Sequence, residues 1–260
     1  MNAANPILEA EGIVLERDGK RILDGVSVRL FAGKVLAVIG PNGAGKSSLL
    51  NVLSGWLKPD AGRVLLDGRE IRDFSAVERA RSLAVMRQED ARPAGISVLE
   101  AVELGRYATG GDVRGVAEEM LRRMDLEGIA GRDCSRLSGG EWQRACFARA
   151  AAQIFQTGGP GILLLDEPVS SLDPAHQHGL LAAARRMASE GVAVLAVLHD
   201  LNLTAMYADE VLAIKEGKVA GIGTAGEMMQ AETLSQIYNC RVEKLESGSV
   251  SALVSLGEGR

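Results

Sequence analysis

Aromatic residues, cysteines and long apolar runs are all scarce in this sequence of 260 residues. It has four Phe, three Tyr, two Trp and three scattered Cys, with no Cys-x-x-Cys pair. We therefore interpret the cysteines as reduced thiols in a cytosolic protein. The longest apolar runs are far shorter than the roughly 20 residues of a membrane-spanning helix, and no secretion signal is visible at the N-terminus. The formal net charge of −5 makes nucleic acid an unexpected partner.

Strand-like and helix-like stretches alternate along most of the chain, which predicts an α/β fold with a mostly parallel sheet. The runs that end at Gly40, Asp166 and His199 are apolar throughout, as is typical of parallel strands covered on both faces. The first part of the chain differs, because it predicts an N-terminal antiparallel β subdomain whose strands turn at "RDGK", residues 17–20. A chain of this length is expected to be a single domain, residues 1–260.

Residues 93 to about 156 contain helix-like stretches and almost no strand, which predicts an α-helical subdomain inserted into the core. The turn-rich "QTGGPG" at 156–161 returns the chain to the sheet. The tail from about 241 to 260 is expected to add strands. The predicted helices span residues 46–55, 97–106, 114–125, 141–156, 175–190 and 201–207.

The stretch "VLAVIGPNGAGKSSLL" has the order strand, glycine-rich loop and helix, and residues 40–47 fit the pattern G-x-x-x-x-G-K-[ST]. Such glycines let successive backbone N–H groups surround a phosphate at the positive end of the following helix. Lys46 would supply a charge to the outer phosphates of ATP, and the Ser47 hydroxyl would be a ligand of Mg²⁺. The alternative is a plain glycine turn before a helix. The predicted ATP-binding residues of this loop are Gly40, Pro41, Asn42, Gly43, Ala44, Gly45, Lys46, Ser47 and Ser48.

Two consecutive carboxylates end the apolar run in "ILLLDEP", residues 162–168. Ligands of open α/β sheets bind at the carboxyl ends of the strands. We therefore expect Asp166 to hold Mg²⁺ and Glu167 to activate the attacking water as a general base. Read alone, the pair could simply end a strand.

His199 and Gln88 complete the predicted catalytic set. His199 follows the apolar run "VAVLAVL" and is expected to sense the γ-phosphate, although a histidine in this position is commonly a hydrogen-bonded core residue. Gln88, in "VMRQED", follows a short strand-like run. From the residues alone it is either a loop residue or a side chain that reaches Mg²⁺ or the attacking water.

The stretch "LSGGEWQR", residues 137–144, combines a capping box with two glycines. Ser138 and Glu141 are the residues that a capping box requires, but the box needs no glycine. Gly139 and Gly140 therefore indicate a close approach to the backbone. Since residues 40–47 already surround one triphosphate, we expect a head-to-tail homodimer in which each copy presents this stretch to the γ-phosphate held by the other.

The motifs "GPNGAGKSS", "LSGGE", "LLLDEP", "SSLD" and "LHD", together with Gln88, occur in the order seen in ABC transporter ATPase subunits. The resemblance covers nearly the whole chain and implies a P-loop NTPase core that binds ATP and Mg²⁺. It also implies that Gln88 couples the nucleotide to the helical insertion, that His199 is the switch histidine, and that a membrane permease docks on the insertion. The loop at the dimer seam would contain Ser171, Leu172 and Asp173.

One position departs from the family pattern. ABC ATPases commonly stack an aromatic side chain on adenine just before the second strand, where this chain has Arg17. A guanidinium plane also stacks on aromatic rings, so we retain Arg17 as a predicted ATP contact. The alternative is an ordinary exposed residue of the hairpin.

A lone ATPase domain resembles the subunits of prokaryotic importers. The stretches "AVMRQ", "VLHDLNLTAMYAD" and "GTAGEMMQAETLSQIYN" are most similar to importers of iron chelates, haem and cobalamin. The leading interpretation is haem import, and a ferric siderophore or cobalamin importer is the alternative. The implied partners are a second copy of the chain, the permease subunits and, indirectly, a periplasmic or surface substrate-binding protein. The implied location is peripheral, on the cytoplasmic face of the inner (cell) membrane.

Proteins of other classes fit this sequence less well. A soluble ABC-type protein of DNA repair would contain a long coiled coil, and one that acts on the ribosome would contain two ATPase domains. A regulatory module without turnover is expected to lack Glu167 or His199. A GTPase would carry an N-K-x-D element, which is absent from the sequence.

Overall fold

Three sheets and the helices around them form the part of the chain that the computed structural model describes, residues 5–88, 90–248 and 250–256. The strands are β1 (Leu8–Arg17), β2 (Lys20–Leu30), β3 (Val35–Ile39), β4 (Ala61–Leu66), β5 (Arg69–Glu70), β6 (Leu83–Met86), β7 (Ile162–Asp166), β8 (Ala193–Val197), β9 (Glu210–Lys215), β10 (Lys218–Thr224), β11 (Arg241–Ser247) and β12 (Val250–Leu256). The α-helices are α1 (Lys46–Leu53), α2 (Ala76–Ser82), α3 (Val98–Glu103), α4 (Val113–Arg123), α5 (Gly139–Ile154), α6 (Pro174–Ser189), α7 (Leu201–Tyr207), α8 (Ala225–Met228) and α9 (Ala231–Tyr238). Two predictions fall partly outside the described residues. The N-terminus in which no secretion signal is visible includes residues 1–4, and the predicted tail includes residues 249 and 257–260.

The N-terminal sheet is antiparallel and has the strand order β2-β1-β4-β5. Its first hairpin turns at Asp18 (φ 52°) and Gly19 (φ 72°). Both residues therefore have the positive φ of a two-residue type I′ turn, the kind that matches the twist of the flanking strands. Along β2, alternate side chains such as Val26, Val28 and Leu30 are buried, as expected for a sheet with one covered face. The hairpin predicted at "RDGK" is confirmed.

The second sheet has the order β10-β9-β3-β8-β7-β6, and only the edge strand β10 runs antiparallel to its neighbour among the described strands. Every residue of β3, β7 and β8 is buried. Val35 and Ala37 face one hydrophobic cluster, whereas Leu36 and Val38 face another on the opposite side of the sheet. The mostly parallel sheet covered on both faces is thus confirmed. Parallel pairing brings the carboxyl ends of these three strands to one edge.

Helices α3, α4 and α5 pack against one another and follow β6 in the chain. Residues 93–156 are all described, and they contain no strand beyond an isolated bridge between Ser97 and Asp133. Helices α3 and α5 both begin at a capping box, with Ser97 and Ser138 as the N-cap residues. Helices α4 and α5 begin and end within two residues of the predicted spans.

Several elements of the structure are not among those that the sequence predicts, notably β9, β10, α2, α8 and α9. Strands β9 and β10 form a hairpin with Glu216 (φ 51°) and Gly217 (φ 74°) at its turn. Helix α2 buries none of its residues, so it has no apolar stripe from which its period could be detected. In the tail, the antiparallel hairpin β11–β12 provides strands where strands are predicted. Among the described helices, none combines the length and the apolar character needed to cross a membrane.

Candidate functional site

The carboxyl-terminal ends of β3, β7 and β8 open into a cleft of about 820 Å³. Each of these strands ends at a predicted site motif. The glycine-rich loop follows β3, and β7 ends in the carboxylate of Asp166. The segment that contains His199 follows β8. The cleft is lined by Ile22, Asn42, Gly43, Gly45, Lys46, Ser47, Ser48, Gln88, Glu167 and His199. The structure therefore collects most of the predicted nucleotide-contacting and catalytic residues at one edge of the sheet.

The loop between β3 and α1 depends on glycine at two positions where the backbone is closely packed. Gly40 has φ 144°, and a Cβ atom at this residue would lie 1.9 Å from the backbone oxygen of Ile214. Gly45 has φ 103°, and its Cβ would lie 2.6 Å from the backbone oxygen of Ile22. No other residue type fits such contacts, since real Cβ atoms do not approach backbone oxygens so closely. The glycine spacing seen in the sequence thus reflects packing of the loop against β9 and β2.

Lys46 is a buried cation at the floor of the cleft, with 6% of the residue exposed. Its Nζ donates to the backbone oxygens of Gly40 at 2.8 Å and Pro41 at 2.9 Å. Burial lowers the pKa of Lys46, and the nearby Glu167 and Asp166 carboxylates oppose this effect. Among the described residues, no carboxylate forms an ion pair with this ammonium group. A buried ammonium with a third N–H donor fits an anionic ligand such as a phosphate.

Asp166 and Ser47 place two oxygen ligands side by side. The Ser47 hydroxyl donates to Asp166 Oδ1 at 3.0 Å, and Asp166 is 7% exposed. Burial raises the pKa of Asp166, while the hydrogen bond from Ser47 and the charges of Lys46 and His199 oppose the rise. Carboxylate and hydroxyl oxygens are the hard ligands that Mg²⁺ prefers. These residues therefore fit a magnesium ion.

Glu167 lies at the centre of the three predicted catalytic residues. Its Oε1 is 2.6 Å from His199 Nε2, and its Oε2 accepts a hydrogen bond of 2.8 Å from Gln88 Nε2. The backbone of Glu167 is left-handed, with φ 49°. A non-glycine residue in this conformation costs on the order of 1–3 kcal/mol and persists only where its surroundings hold it. The structure thus brings Gln88, Glu167 and His199 into direct contact.

Gln143 is a site residue that the sequence analysis missed. It is 8% exposed, and its amide Nε2 donates to the backbone oxygen of Glu167 at 3.1 Å and to Ser170 Oγ at 3.4 Å. Its Oε1 accepts the backbone N–H of Ser171 at 3.0 Å. The signal was available within "LSGGEWQR", because Gln143 lies four residues after Gly139 and so occupies the same helix face. This side chain connects α5 to the backbone of the candidate base.

The loop after Gln88 is hydrogen-bonded to α5 and to Leu137, two residues before this helix. Asp90 accepts hydrogen bonds from the Trp142 indole at its backbone oxygen (2.9 Å) and from Arg149 at its carboxylate (2.5 Å). Arg92 donates to the backbone oxygen of Leu137 at 2.8 Å. A displacement of α5 would therefore move the segment that follows Gln88.

The predicted signature stretch begins α5 but does not line the cleft of its own chain. Ser138 and Glu141 form both hydrogen bonds of the capping box, at 3.2 and 2.7 Å. A Cβ atom at Gly140 would lie 3.2 Å from Leu172 Cδ2, so packing within the chain accounts for part of the glycine requirement there. At Gly139 the nearest atoms would be 3.7 Å away, an ordinary contact. The fold of one chain therefore does not explain Gly139.

The predicted seam loop joins β7 to α6 and is fixed at both ends. Ser171 is exposed, whereas Leu172 is 8% exposed and packs into the core. The Asp173 carboxylate caps α6 by accepting the His176 backbone N–H at 3.0 Å, and this bond is the largest cause of its lowered pKa. The loop is thus held rigidly next to the start of α5.

Arg17 does not line the cleft. Its Nη1 donates to the backbone oxygen of Glu16 at 2.6 Å and lies 3.8 Å from the Asp60 carboxylate. Among the described residues, Ile22 is the aliphatic side chain that lines the cleft. Arg17 therefore lies outside the cleft lining, with its guanidinium near Asp60.

Residues 23–170 match the family model described as ABC transporter. The chain is 44% identical over 240 residues to the hemin import ATP-binding protein HmuV of Pseudomonas fluorescens, which covers 91% of this chain and 94% of the relative. Among solved structures, a metal-chelate type ABC transporter in an inward-facing conformation gives a TM-score of 0.80 at 25% identity, covering 98% of this chain and 99% of the other.

A second solved structure, a dimeric ATP-binding cassette bound to ADP and Pi after hydrolysis, gives a TM-score of 0.76 at 26% identity and covers 84% of this chain and 98% of the other. The family match spans more than half of the chain and includes the phosphate loop and the carboxylate pair. The matched motifs are those that meet in the cleft at the edge of the sheet. The chain belongs to the ABC transporter family, as an ATP-binding subunit whose ATP hydrolysis is coupled to transport.

Proposed function

We propose that this chain hydrolyses ATP to power a membrane importer of haem. The observation that carries the proposal is the cleft itself, in which a buried lysine, a buried carboxylate and the Gln88–Glu167–His199 cluster converge. The cargo follows from relatives of this chain that are named hemin import ATP-binding proteins. The chain is a single domain of residues 1–260, with residues 93–156 as its helical subdomain and residues 241–260 as its tail.

The loop of residues 40–48 binds the phosphates of ATP. Its backbone N–H groups and the N-terminus of α1 receive the negative charge, and Lys46 uses its remaining N–H donor on the outer phosphates. Both glycines that pack against neighbouring strands keep the loop in its curved shape before the nucleotide arrives. Arg17 stacks on adenine after its side chain leaves Asp60, which an exposed pair permits at small cost.

Ser47, Asp166 and Gln88 hold Mg²⁺ with the nucleotide. The metal would neutralise charge on the phosphates during transfer to water. The Ser47 hydroxyl and Asp166 carboxylate already lie within hydrogen-bonding distance of each other, so little rearrangement is needed to share one ion. Gln88, which lines the same cleft, would be a further ligand of this ion.

Glu167 acts as the general base by accepting a proton from the attacking water. Both of its carboxylate oxygens are occupied in the structure, by His199 and by Gln88. Binding of the nucleotide would turn His199 towards the γ-phosphate and Gln88 towards the metal, which would leave Glu167 to face the attacking water.

A second copy of the chain completes the site across a head-to-tail interface. Ser138, Gly139, Gly140 and Glu141 of one copy approach the γ-phosphate held by the other, and Ser171, Leu172 and Asp173 line the seam between them. Two observations support this arrangement. The fold of one chain leaves Gly139 unexplained, and a structurally similar cassette is dimeric with ADP and Pi bound.

Replacing Gly139 with Ala tests the interface. We expect the chain to fold normally, because the new Cβ meets only atoms at 3.7 Å or beyond and Ala is a better helix former than Gly. We also expect ATP-dependent dimers to form about tenfold more weakly, since a methyl group enters the approach path of the other copy's phosphate. Sedimentation of the chain with and without ATP measures this difference, and Gly131→Ala, at an open loop position, is the control. A Gly139→Ala chain that dimerises as readily as the wild type would contradict the arrangement.

The permease docks on the helical subdomain, on the cytoplasmic face of the inner membrane. Trp142 and Arg149 of α5 bond to Asp90, and Arg92 bonds to the backbone of Leu137 just before α5, so a movement of the helices would displace the segment that follows Gln88. Docking of the permease and binding of the nucleotide are thereby coupled through the position of Gln88. A substrate-binding protein outside the membrane acts on this chain only through the permease.

Reconstitution in lipid tests the proposed cargo. The subunit and its permease are placed in liposomes, and ATP turnover is measured with binding protein loaded with haem, ferric siderophore or cobalamin. Stimulation by the haem-loaded form alone is the expected result. Stimulation by a different cargo would refute haem but leave the ATPase, whereas no turnover under any condition would refute the ATPase as well. The Glu167→Gln subunit supplies the background rate.

A further inference from the structure

Helix α9 contacts the phosphate loop through one side chain, Tyr238. The backbone N–H of Gly40 donates to the Tyr238 hydroxyl at 3.1 Å, across 198 positions of sequence. Tyr238 is half-buried, and burial raises the pKa of its hydroxyl, with the Gly40 bond opposing the rise. The hydroxyl therefore acts as an acceptor towards the first residue of the loop.

Gly40 in turn is in direct contact with Lys46. The carbonyl oxygens of Gly40 and Pro41 are the two acceptors of the Lys46 ammonium group in the described structure. On its other side, Gly40 packs so tightly against Ile214 that a Cβ would not fit. Gly40 is thus held by the packing of Ile214 of β9 on one side and, through its N–H, by Tyr238 of α9. The Tyr238 bond therefore acts on the same residue whose carbonyl oxygen accepts from Lys46.

The element that carries Tyr238 is itself well anchored. Leu234 is completely buried and Ile237 is 3% exposed. Lys215 at the end of β9 donates to the backbone oxygen of Gln236 at 2.5 Å and to Asn239 Oδ1 at 2.6 Å. A hydroxyl on such an element is preorganised, which is the condition under which a hydrogen bond can fix a loop.

We propose that Tyr238 is a positioning residue that holds the phosphate loop in its nucleotide-binding shape through Gly40 and Lys46. The inference rests on the proposed ATP site, and Tyr238 itself does not line the cleft. Without the hydroxyl, the Gly40 N–H loses its partner and the loop spends part of its time in other shapes. Apparent nucleotide affinity then falls by the fraction of chains that remain competent.

Tyr238→Phe tests the proposal, because it removes the hydroxyl and keeps the ring. We expect the KM for ATP to rise about three- to tenfold, the size of effect expected for one lost hydrogen bond to backbone, with kcat changed less than about twofold. Tyr207→Phe is the matched control, since its half-buried hydroxyl bonds to His178 Nδ1 at 2.9 Å between α6 and α7, away from the loop. The control is expected to leave KM unchanged.

A double substitution separates positioning from general loss of stability. In a Lys46→Ala background, Tyr238→Phe is expected to lower ADP affinity by clearly less than it does in the wild-type background, because part of its action passes through Lys46. An equal loss of affinity in both backgrounds, or an unchanged KM in the single variant, would overturn the proposal. If the wild-type chain itself fails to bind ATP, the proposed function is refuted instead.

Discussion

Replacing Glu167 with Gln is expected to lower ATP turnover by about 10²–10⁴-fold while ATP binding is retained. The amide has nearly the same size as the carboxylate but cannot accept a proton from water. Since Lys46 and the glycine-rich loop are untouched, the nucleotide still binds. Dimers then accumulate in ATP, because the step that would separate the two copies no longer occurs.

Turnover and dimer content of the same samples measure this expectation. Glu216→Gln is a closely matched control, because Glu216 is also a glutamate with a left-handed backbone (φ 51°) but lies at an exposed turn outside the cleft. It should turn over ATP at the wild-type rate. A Glu167→Gln subunit that hydrolyses ATP normally would eliminate Glu167 as the base.

Lys46→Ala is expected to weaken ATP binding by about 10²-fold, which corresponds to about 3 kcal/mol. Lys46 is the buried cation that faces the cleft, so its removal leaves the outer phosphates without a charged partner. Burial lowers the pKa of Lys46, so keeping its ammonium group charged in this position has a cost to the fold. The substitution should therefore weaken ATP binding without a comparable loss of folding stability.

Equilibrium binding of ATP and thermal unfolding, measured on one preparation, separate the two effects. Lys58→Ala is the control, because Lys58 is exposed and does not line the cleft. It should leave both quantities unchanged. Wild-type ATP affinity in the Lys46→Ala chain would remove the central residue of the proposed phosphate site.

The elements that the sequence predicts well are those in which local pattern and tertiary environment agree. Strands β3, β7 and β8 are continuously apolar because both of their faces are covered. The turn at Asp18 and Gly19 has residue types suited to positive φ. The β9–β10 hairpin has a similar Glu216–Gly217 turn but weak alternation in β10, which is mostly exposed. Helix α2 lacks a buried face altogether. Neither therefore gives a period that could be detected.

The candidate site divides in the same way. Residues that carry their own chemistry, such as Lys46, Asp166 and His199, could be proposed from short motifs. Gln143 shares a helix face with Gly139, but its partners, like the partner of Tyr238, are distant in sequence and could not be named from a motif. Tyr238 bonds to a residue 198 positions away, and Gln143 to one 24 positions away. Such contacts depend on how the helices dock on the sheet, and no local pattern encodes them.

Because the backbone of Glu167 is left-handed, selection for a more stable fold and selection for ATP hydrolysis favour different residues at this position. Glycine at this position would adopt φ 49° without strain, and asparagine would do so more easily than glutamate. A laboratory evolution experiment that rewards heat resistance alone should therefore enrich replacements at residue 167, each of which discards the proposed base. Directed evolution of a more heat-resistant subunit would therefore need to select for transport activity in every round.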